Sequence, residues 1–325
     1  MNTALRIRPA ASTTKSFFRG YVVTMRPYLL FVSGITGIAG MSFGDISDPV
    51  RVFSIFAACF LSYGFGQALT DCFQTDTDAL SSPYRPLTRG AMSRDLTIAV
   101  SLAGLTVCIG LLGYWNPLNI PLGILAGGGL ATYTWFKRRW WGGPWYNAWI
   151  VCVLFLMGAL ASGYGMEHHP DLFLWTAAGT FFGYGNFVLT GYFKDIEADR
   201  STGYTTLPVR YGRRTATITS DVIAAAVAMS IGALLVFAGP ARLARVEGSL
   251  FLLASLLTLF AGQWNLHQNR TDDTAHQSII PVVHAYVLFL AGAAALRQPG
   301  WFFPLVGFYL SFCLVIARRP ERQQI

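Results

Sequence analysis

The chain has 325 residues, 53% of them hydrophobic and only 12% charged, with a net charge of +8 and a mean hydropathy of +0.45. A soluble domain carries about twice that charged fraction, so a soluble enzyme and a soluble domain on a single anchor are both excluded. The positive charge follows the ends of the apolar runs instead of forming one basic patch, which points to a lipid bilayer as partner and to no nucleic acid.

Residues 1–19 are basic and polar, with no apolar core and no small-residue cleavage site, so they read as a tail and not as a signal peptide. Ten apolar segments follow, at roughly 21–43, 51–73, 95–115, 119–136, 145–164, 171–193, 215–239, 247–268, 279–296 and 300–317. Most approach the ~20 residues that span a bilayer as a helix. The fourth and the last two are the shortest, so the count is nine or ten. The runs are unbroken, not alternating, which argues against strands. The expected fold is an all-α, polytopic transmembrane bundle of nine to ten helices over 20–318, with a short tail at 319–325.

The orientation follows from Lys and Arg. With the N-terminus cytoplasmic, all 24 basic residues face the cytoplasm except Arg51, Arg242, Arg245 and Arg297, which face out, and Arg26, which lies inside the first segment. Both termini are then expected inside. Few Lys beside many Arg, Ala and Gly suggests a prokaryotic plasma membrane. The Trp140–Trp145 stretch WWGGPW reads as an interfacial aromatic belt. Cys59, Cys72, Cys108, Cys152 and Cys313 show no metal-ligand spacing and read as small buried side chains.

The second and sixth segments each end in an acidic cluster on the same, cytoplasmic, side. The first is GQALTDCFQTDTDALSSPYRPLTRG, Gly66 to Gly90. On a continuing helix its Asp71, Gln74 or Thr75, and Asp78 fall at i, i+3 or i+4, and i+7, on one face. The second is KDIEADRSTGYTTLPVRYG, Lys194 to Gly212, with Asp195 and Asp199 at i and i+4. Carboxylates so spaced repel each other, and acids at a helix C-terminus oppose its dipole. Taking both costs twice, where charge is expensive, suggests a divalent cation, and hard oxygen ligands favour Mg²⁺ bridging carboxylates to a substrate phosphate. Arg85, Lys137, Arg138, Lys194 and Arg200 lie in the same loops and suit a diphosphate. For any single Asp a solvated loop charge is the default, and two matched clusters on one side make that the weaker account.

At these motifs the sequence resembles the UbiA superfamily of intramembrane prenyltransferases. The second motif is intact: Lys194, Asp195 and Asp199, then Gly203 and Thr206-Leu207-Pro208-Val209. The first keeps Asp71, Asp78, Pro83, Arg85-Pro86-Leu87 and Gly90. Tyr133, Lys137, Arg138 and Asn147 resemble the family's Tyr…Lys-Arg…Asn stretch, and Arg26-Pro27 its opening Arg-Pro. The departures are Thr70 where the family has Asn and Gln74 where it has Asp. Both keep an oxygen ligand. Asp76 is an extra acid about 200° around a helix from Gln74.

The resemblance implies a lipid-open central cavity for an isoprenoid tail and an allylic prenyl diphosphate held with Mg²⁺. Ionisation gives an allylic cation that a small acceptor, aromatic or a quinone precursor, attacks. Asp71, Asp78, Asp195 and Asp199 are expected to act through the metal, with Gln74 as a further ligand and Thr70 auxiliary. Arg85, Lys137, Arg138, Lys194 and Arg200 are expected on the diphosphate. Asn147 and Asn186 could reach the pocket, although helix–helix hydrogen bonds suit both. His284 and Asp221 read as a satisfied histidine and an interfacial acid. The alternative outcome is a terpene cyclase on the same site, in which the substrate's own double bonds capture the cation. A transporter fits poorly, because the acids occupy one side only.

Overall fold

The computed structural model describes residues 14–44, 47–165, 169–240 and 246–319, so most of the expected N-terminal tail, Arg242, Arg245 and residues 320–325 lie outside the described residues. Its helices are α1 Thr14–Met25, α2 Leu30–Met41, α3 Pro49–Asp71, α4 Thr75–Ser81, α5 Arg94–Trp115, α6 Asn119–Lys137, α7 Gly143–Ala161, α8 Pro170–Gly191, α9 Ile196–Ser201, α10 Leu207–Ala238, α11 Val246–Gln268, α12 His276–Arg297 and α13 Phe302–Ala317. Among the described residues there is no strand, only an isolated bridge between Arg139 and Thr205.

Nine of the described helices are long and apolar enough to cross a membrane, counting Phe17–Met41 and Pro299–Ala317 as one span each. The tenth expected segment is α6, of 19 residues. It is long enough but diluted by Asn119 and by Gly127, Gly128 and Gly129. All ten expected segments therefore form helices, and the seventh is extended at its start: α10 begins at Leu207 and kinks at Gly212, whose φ is 81°.

Local chemistry sets where several helices begin. The Asp48 carboxylate accepts from the Val50 N–H at 2.9 Å and Pro49 supplies a preset φ, so α3 starts there. Ser93 caps α5 by accepting from the Leu96 N–H at 3.4 Å. Pro170 opens α8.

The centre of the bundle is α12. It packs on α11, α8 and α2, and nearly all of its side chains from Val282 to Leu296 are buried. Without water as a driving force, such helices approach through small residues. Gly40 of α2 is one such point: a Cβ built there would lie 2.1 Å from the Phe155 carbonyl oxygen of α7.

The first span is broken. Between α1 and α2, Arg26 takes φ 53° and ψ 73°, and Pro27 opens a single 3₁₀ turn. A residue before proline is pushed out of the helical region, and a left-handed non-glycine costs of order 1–3 kcal/mol. An ion pair offsets it: the Arg26 Nη2 donates to Asp71 at 3.0 Å (Oδ1) and 2.9 Å (Oδ2), with the carboxylate almost fully buried.

Two predictions follow from this packing. Gly40→Val must separate α2 from α7 and should cost about 2 kcal/mol, read as a lower unfolding temperature in detergent. Arg26→Met leaves a buried carboxylate short of its partner and should cost about 3 kcal/mol. The double variant Arg26→Met/Asp71→Asn should be more stable than Arg26→Met alone. Equal stability of the two would contradict a paired role for Arg26.

Candidate active site

Three interruptions of helical backbone build one cluster. Contrary to the expectation of a continuing helix, α3 stops at Asp71 and α4 restarts at Thr75, with Gln74 at the junction. The sixth span likewise ends in a 3₁₀ turn, Tyr192–Lys194, and Asp195 stands at the start of α9. The reason is the one given for acids at a helix C-terminus: unbroken helices would stack these carboxylates against the dipole. Breaking them lets Asp71 and Asp78 meet Arg26 and Arg85, and Asp199 meet Lys137. Irregular backbone at this depth survives because it faces a cavity and protein, not lipid.

The cavity lies between α3, α5, α6, α7 and α8 and leaves ≈ 210 Å³ in which the centre of a water molecule can move. Its mouth carries the charges and its depth is apolar. At the mouth, Asp71 accepts from Arg26, from Gln67 Nε2 at 2.6 Å, and lies 3.7 Å from Arg85. Arg85 also donates to Asp78. Lys137, buried, donates to Gln74 Oε1 at 3.1 Å and sits 3.8 Å from Asp199. Lys194 and Asp195 line the same mouth and make no side-chain hydrogen bond or ion pair with the described residues.

The acids outside the spans feel this burial. Burial pushes the Asp78 carboxyl up, and Arg85 opposes it. Burial pushes Asp199 up to about 6, with Lys137 opposing. Asp199 is fully buried. Its Oδ2 accepts from Thr206 at 3.3 Å, and its Oδ1 lacks a hydrogen-bond donor among the described residues. The two acidic motifs also touch: the Thr77 and Thr202 hydroxyls lie 3.2 Å apart. The α6–α7 turn is fastened to the second motif by the Thr205 N–H, which donates to the Arg138 carbonyl at 2.9 Å.

Thus the structure gathers Asp71, Gln74, Asp78, Arg85, Lys137, Lys194 and Asp195 at one mouth, with Thr70 and Asn147 on its wall. Asp199 sits behind Lys137 and not on the wall. Three of the candidate residues are elsewhere. Arg138 is half exposed, donates to Asp76 at 2.8 Å and stacks over Tyr204. Arg200 is exposed and pairs with Glu197. Asn186 is buried and its Oδ1 accepts from Ser220 at 2.6 Å, a helix–helix tie. Asp76, on the far side of the break from Asp71, accepts from Arg138 and from the Tyr204 hydroxyl and does not line the cavity. His284 shares a 2.8 Å hydrogen bond with Tyr309, and Asp221 pairs with His267 at the surface.

Sequence reasoning missed two contributors. Arg26 was visible as a lone cation followed by proline in an apolar run. The Tyr133–Tyr192 pair, joined at 3.1 Å beside Lys137, had no separate signal.

A donor set of this kind fits a hard cation only in part as a protein cage. Among the described residues no three His, Cys, Asp or Glu side chains converge on one point. Mg²⁺ commonly takes one or two carboxylates and completes its shell from phosphate and water. Asp195 of the second motif and Asp71 and Asp78 of the first are the carboxylates on the wall of the mouth from which such a shell would draw.

Comparison with known proteins agrees with this architecture. The model of the UbiA prenyltransferase family matches residues 30–290. A digeranylgeranylglyceryl phosphate synthase of Natronomonas pharaonis is 31% identical over 201 residues, covering 60% of this chain and 70% of that protein. A chloroplastic chlorophyll synthase of Oryza sativa subsp. japonica is 31% identical over 176 residues, 47% of this chain and 43% of that protein. A solved UbiA homolog from Archaeoglobus fulgidus, bound to GPP and Mg²⁺, superposes with a TM-score of 0.66 at 15% identity, covering 86% of this chain and 99% of that one. That likeness shows the fold, and the family match over most of the chain shows the rest: this integral membrane protein belongs to the UbiA prenyltransferase family.

Proposed function

We propose that the chain is a Mg²⁺-dependent intramembrane prenyltransferase that ionises an allylic prenyl diphosphate at the charged mouth and passes the prenyl group to a small acceptor. The single observation that carries this reading is the mouth itself: buried acids and bases from both motifs meet where an apolar cavity begins. An anionic head with a hydrocarbon tail is the ligand that matches both halves.

Each residue has a separable part. Lys194, which makes no ion pair with the described residues, and Lys137 and Arg85, whose partners are the motif acids, would bind the diphosphate oxygens. Arg26 would hold Asp71 in place and add positive potential. Asp71, Asp78 and Asp195 would hold the cation, with Gln74 and Thr70 as neutral oxygen donors, and Asp199, behind Lys137, would hold that ammonium in place. Mg²⁺, when bound, supplies Lewis-acid stabilisation of the charge that grows on the departing diphosphate. The preset cations do the same without reorganising. Tyr63, Tyr133, Tyr184 and Phe187 border the space beyond and offer ring faces to an allylic cation. Arg138 and Arg200, turned to Asp76 and Glu197, drop out of the proposed set.

The basic residues flanking the segments support a cytoplasmic mouth, where a water-soluble diphosphate arrives. The acceptor is where the reading narrows. The relatives' names carry a glyceryl phosphate and chlorophyll. They lend no support to the aromatic or quinone-precursor acceptor that the sequence suggested, so the acceptor stays a small nucleophile.

Asp195→Asn should lower diphosphate release by about 100-fold or more while leaving the unfolding temperature in place. The assay mixes purified protein, Mg²⁺ and a prenyl diphosphate with a panel of phenolic, alcohol and glyceryl phosphate acceptors. Release that needs one acceptor supports transfer and names its class. Release without any acceptor, with a new terpene in the extract, would assign cyclisation instead. Full activity in Asp195→Asn would remove the metal role from the second motif.

A further inference from the structure

We infer that this chain selects a tail of about four isoprene units, and that the gauge is the blind end of the cavity, where Ile109, Leu112, Gly123 and Met157 meet. The inference rests on the reading of the cavity as the tail site.

The length can be read along α6. Its cavity face runs Lys137, Tyr133, Leu130, Gly127, Gly123, the spacing of one helical stripe. At a rise of about 1.5 Å per residue, Gly127 lies about 15 Å below Lys137 and Gly123 about 21 Å below it. An isoprenyl unit adds four carbon–carbon bonds, about 5 Å when bonds of ~1.5 Å are projected on the chain axis. Three units therefore reach Gly127 and four reach Gly123.

The far end is closed and held. Ile109 lies directly on Gly123, where a Cβ would come within 2.5 Å of its Cγ1. Leu112 and Met157 are 1% and 3% exposed. Just beyond them the fully buried Asn119 donates from its Nδ2 to the Leu112 carbonyl at 3.0 Å and to the Met157 carbonyl at 3.2 Å. One amide thus ties α5 to α7 through their backbones, which fixes the points from which the Leu112 and Met157 side chains reach the floor. A buried amide is costly among hydrocarbon, which makes a tie at this depth a feature to explain.

The wall above the floor is open at one point. A Cβ on Gly127 would meet nothing within 4 Å, so a large side chain there would enter the cavity and shorten it. Gly127 and Leu112 make opposite predictions: filling the first shortens the cavity, and trimming the second lengthens it.

The test compares the wild type, Gly127→Phe and Leu112→Ala on geranyl, farnesyl, geranylgeranyl and geranylfarnesyl diphosphates. It reads kcat/KM for diphosphate release with Mg²⁺, and thermal stabilisation by the uncleavable thiodiphosphate of each length. The wild type should peak at four units. Gly127→Phe should lower the four-unit to two-unit ratio by about tenfold or more, and Leu112→Ala should raise the five-unit to four-unit ratio. A variant that merely misfolds loses all lengths alike, whereas the gauge changes their ranking in opposite directions. Stabilisation of the wild type that peaks at the four-unit thiodiphosphate, without diphosphate release from any length, would keep the gauge and overturn the catalytic reading. A wild type indifferent to length, or variants whose ranking does not move by either readout, would overturn the gauge.

Discussion

Four cations and four carboxylates share one end of an apolar helix bundle: Arg26, Arg85, Lys137 and Lys194 with Asp71, Asp78, Asp195 and Asp199. Charge so deep is costly to keep, and removing either partner of a buried pair costs more than the pair contributes. The set is close to balanced, which makes it tolerable. It is not closed: among the described residues Lys194 and Asp195 make no side-chain hydrogen bond or ion pair, and the Asp199 Oδ1 lacks a hydrogen-bond donor. A network of this kind is stable enough to fold and incomplete enough to bind. An incoming diphosphate and divalent cation would complete it, the anion meeting Lys194 and the metal Asp195.

The backbone follows from that constraint. A continuous helix through 71–78 would stack its acids, and one through 191–199 would carry its acids on a dipole of the wrong sign. Both break instead, and so does the first span at Arg26. The three breaks converge on one mouth because the α1–α2 junction and the C-terminal ends of α3 and α8 lie on the same side of the bundle, where Arg26, Asp71 and Lys194 line one cavity. The remaining helices, α12 above all, supply a packed apolar frame against which those strained segments are fixed.

Much of this was legible in the sequence, and for identifiable reasons. Apolar runs of membrane length gave every expected segment, because hydropathy over such a length has few other solutions. Paired acids followed by Arg-Pro-Leu and by Thr-Leu-Pro-Val marked the mouth. What was not legible depends on where a helix stops. The expectation that Asp71, Gln74 and Asp78 share a helical face reached the right neighbours by the wrong geometry, since a break joins them. Arg138 and Arg200 sit in the right loops, but exposure lets each pair locally with an acid, Asp76 and Glu197. Asp199 retreats behind Lys137 because Thr206 and the start of α10 hold it there. Arg26 carried a readable signal, a charge before proline in an apolar run. The Tyr133–Tyr192 contact and the Asn119 tie join segments distant in sequence, and a single chain gives no hint of such pairs.

The central claim is that the mouth is an incomplete ion network that a diphosphate and Mg²⁺ complete together. The most direct test is calorimetric binding of an uncleavable geranylgeranyl thiodiphosphate to the wild-type protein in detergent, with Mg²⁺ and with a chelator. Completion predicts that affinity rises by about tenfold or more when Mg²⁺ is present, and that Mg²⁺ binds measurably more weakly when the thiodiphosphate is absent. Equal affinity with and without Mg²⁺ would contradict the account, because the cations alone would then suffice and the carboxylates would have no part in holding the ligand.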